Sequence, residues 1–159
     1  MIDAGDSLLD SEERAVVVRL GEAEFGIDVR RVREVLRAPP ITRLPFPPPT
    51  IVGITSVRGA LVPVMDLGER LLGRSANRAG RLVIVRDPDS DGSIGLLVDA
   101  VLDLVPLDRR TEGPPEEIEA SLPAGWVLGV LTPGEQRLVT LLDLTKVLDL
   151  QNAPEEERQ

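Results

Sequence analysis

The sequence has neither cysteine nor histidine. Without cysteine there are no disulfides, thiolate metal ligands or thiol nucleophiles, and without histidine the commonest general base is missing. Aromatic residues are reduced to Phe25, Phe46 and Trp126, so the interior must be aliphatic, and the abundance of Val, Leu and Ile favours strands. Positive charge is also short: 18 basic residues, of which Lys146 is the sole lysine, face 27 acidic ones for a net charge of −9. Nucleic acid and anionic membrane surfaces need a basic footprint, so neither is expected as a partner. No run of roughly 18 apolar residues is present to cross a bilayer, and Met1 to Arg14 lacks the apolar core of a signal peptide. A soluble, cytoplasmic protein without direct membrane insertion is expected.

The chain carries an internal repeat. Glu24-Phe25-Gly26-Ile27 and the later Glu34-Val35-Leu36 are echoed by Ser93-Ile94-Gly95-Leu96 and Asp103-Leu104-Val105, with Gly95 standing where Gly26 stood. Ala60-Leu61-Val62-Pro63-Val64-Met65-Asp66-Leu67 is echoed by Arg137-Leu138-Val139-Thr140-Leu141-Leu142-Asp143-Leu144. Two copies are too few and too long for a solenoid and point to two similar subdomains packed together. Such a pair suits a docking platform better than a one-site enzyme.

Residues 1–13 and 151–159 are acidic and read as flexible, solvated tails. Ala15 to Leu20 and Glu24 to Asp28 read as a hairpin across Gly21-Glu22. Val29, Val32, Val35 and Leu36 recur at three- and four-residue spacing, which predicts one or two helical turns before the chain extends again. Leu44 to Thr50 contains Pro45, Pro47, Pro48 and Pro49 and is predicted to be extended. It reads either as a polyproline ligand or as a stiff connector, and the apolar Phe46 and Ile51 favour a connector docked onto the core. Ile51 to Val57 and Ala60 to Met65 form a hairpin whose tip is Arg58-Gly59, with glycine supplying an unusual backbone angle. Leu67 to Leu72 reads as a short helix stopped by Gly73. Pro106 to Gly125 is a long charged excursion with a short helical piece at Pro115 to Ser121.

Several chemical motifs fail on inspection. Asp87-x-Asp89-x-Asp91-Gly92 begins like a calcium loop, but position twelve is Val98, Pro88 interrupts it, and the flanks read as strands, leaving an Asp/Gly turn. Asp28, Asp66, Asp99, Asp103 and Asp143 sit at repeat-related element ends, which suits caps and turn acceptors rather than a catalytic carboxylate pair. Lys146 has no Ser-x-x-Lys setting, and no Gly-rich phosphate loop follows a strand. No cofactor is expected.

Taken in order, Leu20-Gly21-x-x-x-Phe25-Gly26-Ile27-Asp28, Val32-x-Glu34-Val35 and Ile51-x-Gly53-Ile54-x-x-x-Arg58-Gly59-x-x-Val62-Pro63-Val64-x-Asp66-Leu67 resemble the CheW-type chemotaxis coupling proteins. The resemblance continues through Gly95-x-x-Val98-Asp99-x-Val101 and Gly129-Val130 to Leu141-Leu142-Asp143-Leu144, covering residues 14–150. It implies an all-β fold of two small SH3-like antiparallel β-barrels packed as intertwined pseudo-repeats with a few short helices. It further implies a non-enzymatic adaptor between chemoreceptor signalling tips and a CheA-type histidine kinase, recruited to receptor arrays. Family residues that engage partners fall here on Arg58 and Gly59 of the hairpin and on Val32 and Glu34 after the second strand. Ser56 stands where the family's hairpin has asparagine. The same fold in pilus, gliding or developmental signalling, and a small ligand-binding or enzymatic domain with a carboxylate site, are the alternative readings.

Overall fold

The structure, a computed structural model, describes residues 13–107, 110–111, 122–123 and 125–150. The two tails and the helical piece expected at Pro115 to Ser121 lie outside those residues. The chain opens with the expected hairpin, β1 (Arg14–Leu20) and β2 (Ala23–Asp28). A single 3-10 turn at Val29–Arg31 leads into β3 (Val32–Arg37). After the proline-rich connector come β4 (Ile51–Val57), β5 (Ala60–Asp66) and helix α1 (Leu67–Leu72), whose C-terminus is closed by Gly73 at φ 70°. Next are β6 (Arg81–Arg86), β7 (Ser93–Val98), β8 (Ala100–Pro106) and the short β9 (Arg110–Thr111). β10 (Val127–Gly134), β11 (Arg137–Leu142) and helix α2 (Leu144–Leu148) complete the described chain.

The strands form two sheets, ordered β8-β1-β2-β11-β10-β9 and β3-β6-β7-β5-β4. The halves of the chain exchange strands: β3 leaves β2 to pair with β6, and β8 leaves β7 to pair with β1. Pairing is antiparallel except where the halves are stitched together, at β2–β11 and β5–β7, one parallel pair in each sheet.

The repeat survives in backbone detail. Gly26 and Gly95 occupy the two parallel seams, opposite Leu141 and Val64. A β-carbon on Gly95 would lie 3.0 Å from the Leu82 side chain, and one on Gly26 3.2 Å from Val139, so neither seam has room to spare. β4 and β10 shift register at matching places, between Ile51 and Gly53 and between Val127 and Gly129. Each sheet is also extended at its edge in the same way, by Thr42 bridging Ile54 of β4 and by Thr111 pairing with Val130 of β10. Asp66 and Asp143 cap α1 and α2, and Asp28 caps the 3-10 turn, as expected of these aspartates.

β1 is apolar on both faces because both are buried. Val16, Val18 and Leu20 enter a large cluster with Phe25, Ile27, Val83, Leu96, Trp126 and Val147, while Ala15 and Val17 enter a smaller one with Val105, Leu131, Val139 and Leu141. Across the lobes, Arg70 of α1 is 4 % exposed, lies 4.7 Å from the Trp126 ring centre, and donates to the carbonyls of Val147 and Asp149 at 2.9 and 2.8 Å. A cation at the end of α2 satisfies carbonyls that the helix leaves open. Because the large cluster draws on both sheets, calorimetry should show one unfolding transition. Two resolved transitions would contradict a shared core.

Three local expectations are corrected. The valine spacing at Val29 to Leu36 is not a helix beyond Val29–Arg31: Val32 and Glu34 lie on a strand, and Val35 is 40 % exposed rather than inward. β-branched residues at this spacing satisfy a strand once a bulge is inserted, and the neighbouring β6 supplies the ladder. The proline-rich connector is not continuously extended, because Phe46 and Thr50 adopt φ of 51° and 67°. That interruption removes the uninterrupted polyproline helix that a proline-motif ligand presents. Phe46 does not dock on the core but stands 99 % exposed, whereas Ile51 does pack against it.

Candidate functional site

The β4–β5 hairpin closes through two residues, Arg58 at φ 52° and Gly59 at φ 85°, between the paired Val57 and Ala60. Two left-handed residues in a two-residue loop match the twist of the strands. Glycine tolerates this conformation, but arginine is strained in it, so the tip holds a charged side chain at some conformational cost. Gly59 has open space around it, and Ser56 is exposed at the end of β4 opposite Leu61.

Glu34 comes to this tip from β3, the other edge of the same sheet. Arg58 donates from Nε and Nη2 to the two Glu34 oxygens at 3.1 and 2.9 Å, a two-pronged pair with Arg58 78 % and Glu34 25 % exposed. Hydrogen bonding from Arg58 holds the Glu34 carboxyl below its usual range, partial desolvation opposing, and the same bond raises the guanidinium. A register shift in β3 aims Glu34: Val32 sits opposite Val85 and Glu34 opposite Ile84, neighbours that face opposite sides of the sheet. Val32 and Glu34 therefore do not share a side, and Val32 is half-buried against the core.

The second barrel contains the same device in a different state. β8 shifts register between Val101 and Asp103 as β3 does between Val32 and Glu34, and Asp103 meets Arg137 at the start of β11. Here the arginine is taken up twice, by Asp103 at 2.9 and 3.0 Å and by Glu24 at 2.9 Å from Nε. Those bonds, from Asp103 first and Glu24 second, raise the Arg137 guanidinium strongly. Among the described residues Arg58 has Glu34 as its single carboxylate partner and is otherwise exposed, so its remaining donors are available to a partner.

A groove of about 560 Å³ runs between the lobes. Pro63, Met65 and Ile94 line it from the second sheet, Leu148 and Leu150 from the end of α2, and Leu44 and Ile51 from the connector and β4. Asp87 and Asp89 of the β6–β7 turn stand at its edge. That turn is the Asp/Gly hairpin expected of this segment: Asp87 accepts from the Asp89 amide at 2.9 Å and from Ser90 Oγ at 3.1 Å. Among the described residues no three acidic, histidine or cysteine side chains come together in a metal-binding group. The groove and the Glu34–Arg58 pair have no local signature in the sequence, because each is assembled from elements far apart in the chain.

The CheW-like domain family matches residues 14–152. The chain is 31 % identical over 159 residues to "Chemotaxis protein CheW" of Rhizobium meliloti (strain 1021), covering all of this chain and 99 % of that protein. It is 32 % identical over 139 residues to "Protein FrzA" of Myxococcus xanthus, covering 86 % of each. A crystal structure of the scaffolding protein TtCheW from Thermoanaerobacter tengcongensis superimposes with a TM-score of 0.73 at 27 % identity, over 91 % of this chain and 93 % of that one. No helix among the described residues is long and apolar enough to cross a membrane. A match of this extent, on a fold of two interleaved sheets, places the chain as a member of the CheW-like domain family.

Proposed function

We propose that this protein is a non-enzymatic adaptor that couples the cytoplasmic signalling tips of chemoreceptors to a CheA-type histidine kinase in a chemosensory array. The observation that carries the reading is the contrast between its two arginine tips: Arg137 is locked by two carboxylates, whereas Arg58 is presented to solvent on a strained turn and oriented by Glu34. An oriented but uncommitted guanidinium is suited to a partner's carboxylate or carbonyl and has little to do for the fold itself. Ser56 and Gly59 flank it without bulk, so a partner surface can approach the hairpin closely. Val32 contributes by holding the bulged start of β3 against the core, which sets the direction of Glu34. The groove between the lobes receives the receptor helices.

Reconstitution tests this directly. Purified kinase and a receptor signalling fragment should co-sediment in this protein's presence and separate in its absence, with kinase activity responding to the receptor only in the ternary mixture. A mixture in which the protein binds neither component, or turns over a substrate of its own, would remove the adaptor reading. Val32→Met should lower stability by roughly 1–3 kcal/mol, the usual range for overpacking, if the side chain is a core support. Unchanged denaturation with altered receptor affinity would instead place Val32 in the binding surface.

A further inference from the structure

We infer that Phe46 is the aromatic anchor by which the groove grips its occupant, and that this occupant is an amphipathic helix with lysine or arginine along one flank of its apolar stripe. The inference rests on the adaptor reading and specifies the chemistry of the partner that lies in the groove.

Phe46 is in the wrong place for a residue that serves the fold. Of the chain's three aromatic side chains, Phe25 is 0 % and Trp126 2 % exposed, while Phe46 is 99 % exposed. It also adopts φ 51°, a conformation unfavourable to a bulky residue and natural to glycine or asparagine. The loop thus accepts both an exposed aromatic ring and backbone strain with no return in its own packing. Strain of this kind persists where the surrounding structure enforces it, and it gathers at sites that bind. Pro47 adds to the cost, because a proline pushes the residue before it toward extended backbone rather than toward φ 51°. An aromatic side chain offers a large apolar area for only two rotatable bonds fixed on binding, which is what makes such residues efficient anchors.

The same loop forms one wall of the groove, through Leu44 and Pro48. A helix laid along that apolar trough would bury its stripe residues there, the usual helix-in-groove arrangement, and Phe46, two residues from each of Leu44 and Pro48 in the chain, is offered to it from the same loop. Charge selects among occupants. Asp87 and Asp89 stand at the groove's edge and take part in no ion pair among the described residues. Covering them with an apolar or acidic surface would strip their hydration without compensation, so the occupant's facing flank must be basic. The chain's own segment after Leu150 starts at the groove and is long enough to fold back, at up to about 3.3 Å per residue. It carries Glu155, Glu156 and Glu157 and so has the same sign as the edge. A second copy of a chain with net charge −9 is disfavoured for the same reason.

The test is a titration of a labelled receptor signalling hairpin, and separately of the CheA-type kinase, into the full chain and four variants. Phe46→Asn suits the left-handed backbone and removes the ring. It should weaken hairpin binding by roughly thirtyfold, the scale of an interface hot spot, leave the kinase's affinity unchanged, and not lower the thermal midpoint. Phe46→Leu should restore most of the affinity. Asp89→Lys should weaken hairpin binding about tenfold and flatten its salt dependence. If Phe46→Asn binds the hairpin like the parent, or loses both partners equally, Phe46 is not the anchor. If Asp89→Lys tightens binding, the occupant's flank is not basic. If converting Glu155, Glu156 and Glu157 to Gln strengthens or weakens hairpin binding tenfold, the chain's own tail competes for or shapes the groove, and the occupant named here is wrong. A parent chain that binds no receptor hairpin defeats the adaptor reading and the anchor with it, an outcome distinct from a binding parent with indifferent Phe46 variants.

Discussion

Asp66→Ala is expected to lower stability by about 3 kcal/mol, several times the loss from the repeat-related Asp143→Ala. Both residues cap short helices, but their surroundings differ. Asp66 is fully buried, and its oxygens accept from the amide of Glu69 at 3.1 Å, the amide of Ala76 at 3.0 and 3.2 Å, and Arg78 Nη1 at 3.1 Å. Removing the carboxylate leaves two buried or part-buried amides without an acceptor and releases residues 74–80 from the end of β5. An unsatisfied buried donor costs about 1–3 kcal/mol, and the lost cap about 1 kcal/mol more. The Arg78 pair contributes little, since that side chain is 51 % exposed. Among the described residues Asp143 accepts only the Lys146 amide, at 3.4 Å, so its removal is a simple cap loss of about 1 kcal/mol.

For a chain of this size about 1 kcal/mol moves the thermal midpoint by about 2–4 °C, so the two variants should separate clearly. Urea denaturation of the parent, Asp66→Ala, Asp66→Asn and Asp143→Ala measures the ordering. Asparagine keeps one carbonyl acceptor and should fall between parent and alanine. Equal losses at Asp66 and Asp143 would mean that the 74–80 segment is not organised by the carboxylate. The segment also hangs from Asp99, which accepts from the Gly21 amide at 2.7 Å and the Asn77 amide at 2.6 Å and so ties the β1–β2 turn to it. Burial resists ionisation of Asp99, yet these two amide bonds and nearby arginines outweigh it and hold the carboxyl below its usual range. Its stabilising effect is therefore complete at neutral pH and fades only as acid takes the pH down through that lowered value.

What the sequence revealed follows from how local each feature is. The hairpins at Gly21-Glu22 and Arg58-Gly59, helix α1 with its Gly73 stop, and the capping aspartates are written in adjacent residues, and each stands where the spacing placed it. The repeat likewise predicted paired subdomains, since residues such as Gly26 and Gly95 are needed in both copies of one seam. Exchange of β3 and β8 between the sheets was not legible from periodicity, because a strand carries no mark of which sheet it joins. The valines after Asp28 misled for a related reason: a bulge breaks the period of two, and a broken strand pattern resembles a helical one over so few residues. Phe46 misled because apolar character normally implies burial, an inference that fails at binding surfaces. Of the candidate site, the hairpin arginine was visible, whereas its pairing with Glu34 depends on the curl that brings opposite edges of a sheet together.

Arg58→Ala is expected to weaken the kinase or receptor complex by at least about tenfold while leaving thermal unfolding unchanged. The side chain is 78 % exposed and packs into no core, so the fold does not need it, and alanine, which keeps the β-carbon, leaves the backbone strain of the turn as it was. Arg58→Asn supplies a second variant whose residue is at ease at φ 52°, so that loss of binding cannot be assigned to a damaged hairpin. Glu34 then tells orientation apart from direct contact. If Glu34 acts by fixing the guanidinium, Glu34→Gln should lose part of the affinity, and the double variant should lose no more than Arg58→Ala alone. If Glu34 touches the partner independently, the two losses add. Acid provides a further check with a definite sign. Because the hydrogen bonds from Arg58 lower the folded-state pKa of Glu34, the pair is intact above the ordinary glutamate range and opens only as the pH falls through the lowered value. Affinity should therefore be flat from neutral pH down to about 5. Binding that is indifferent to Arg58→Ala and Arg58→Asn, or variants that unfold instead, would show that the guanidinium is not the anchor and that the exposed tip of this barrel is no different in purpose from the locked one at Arg137.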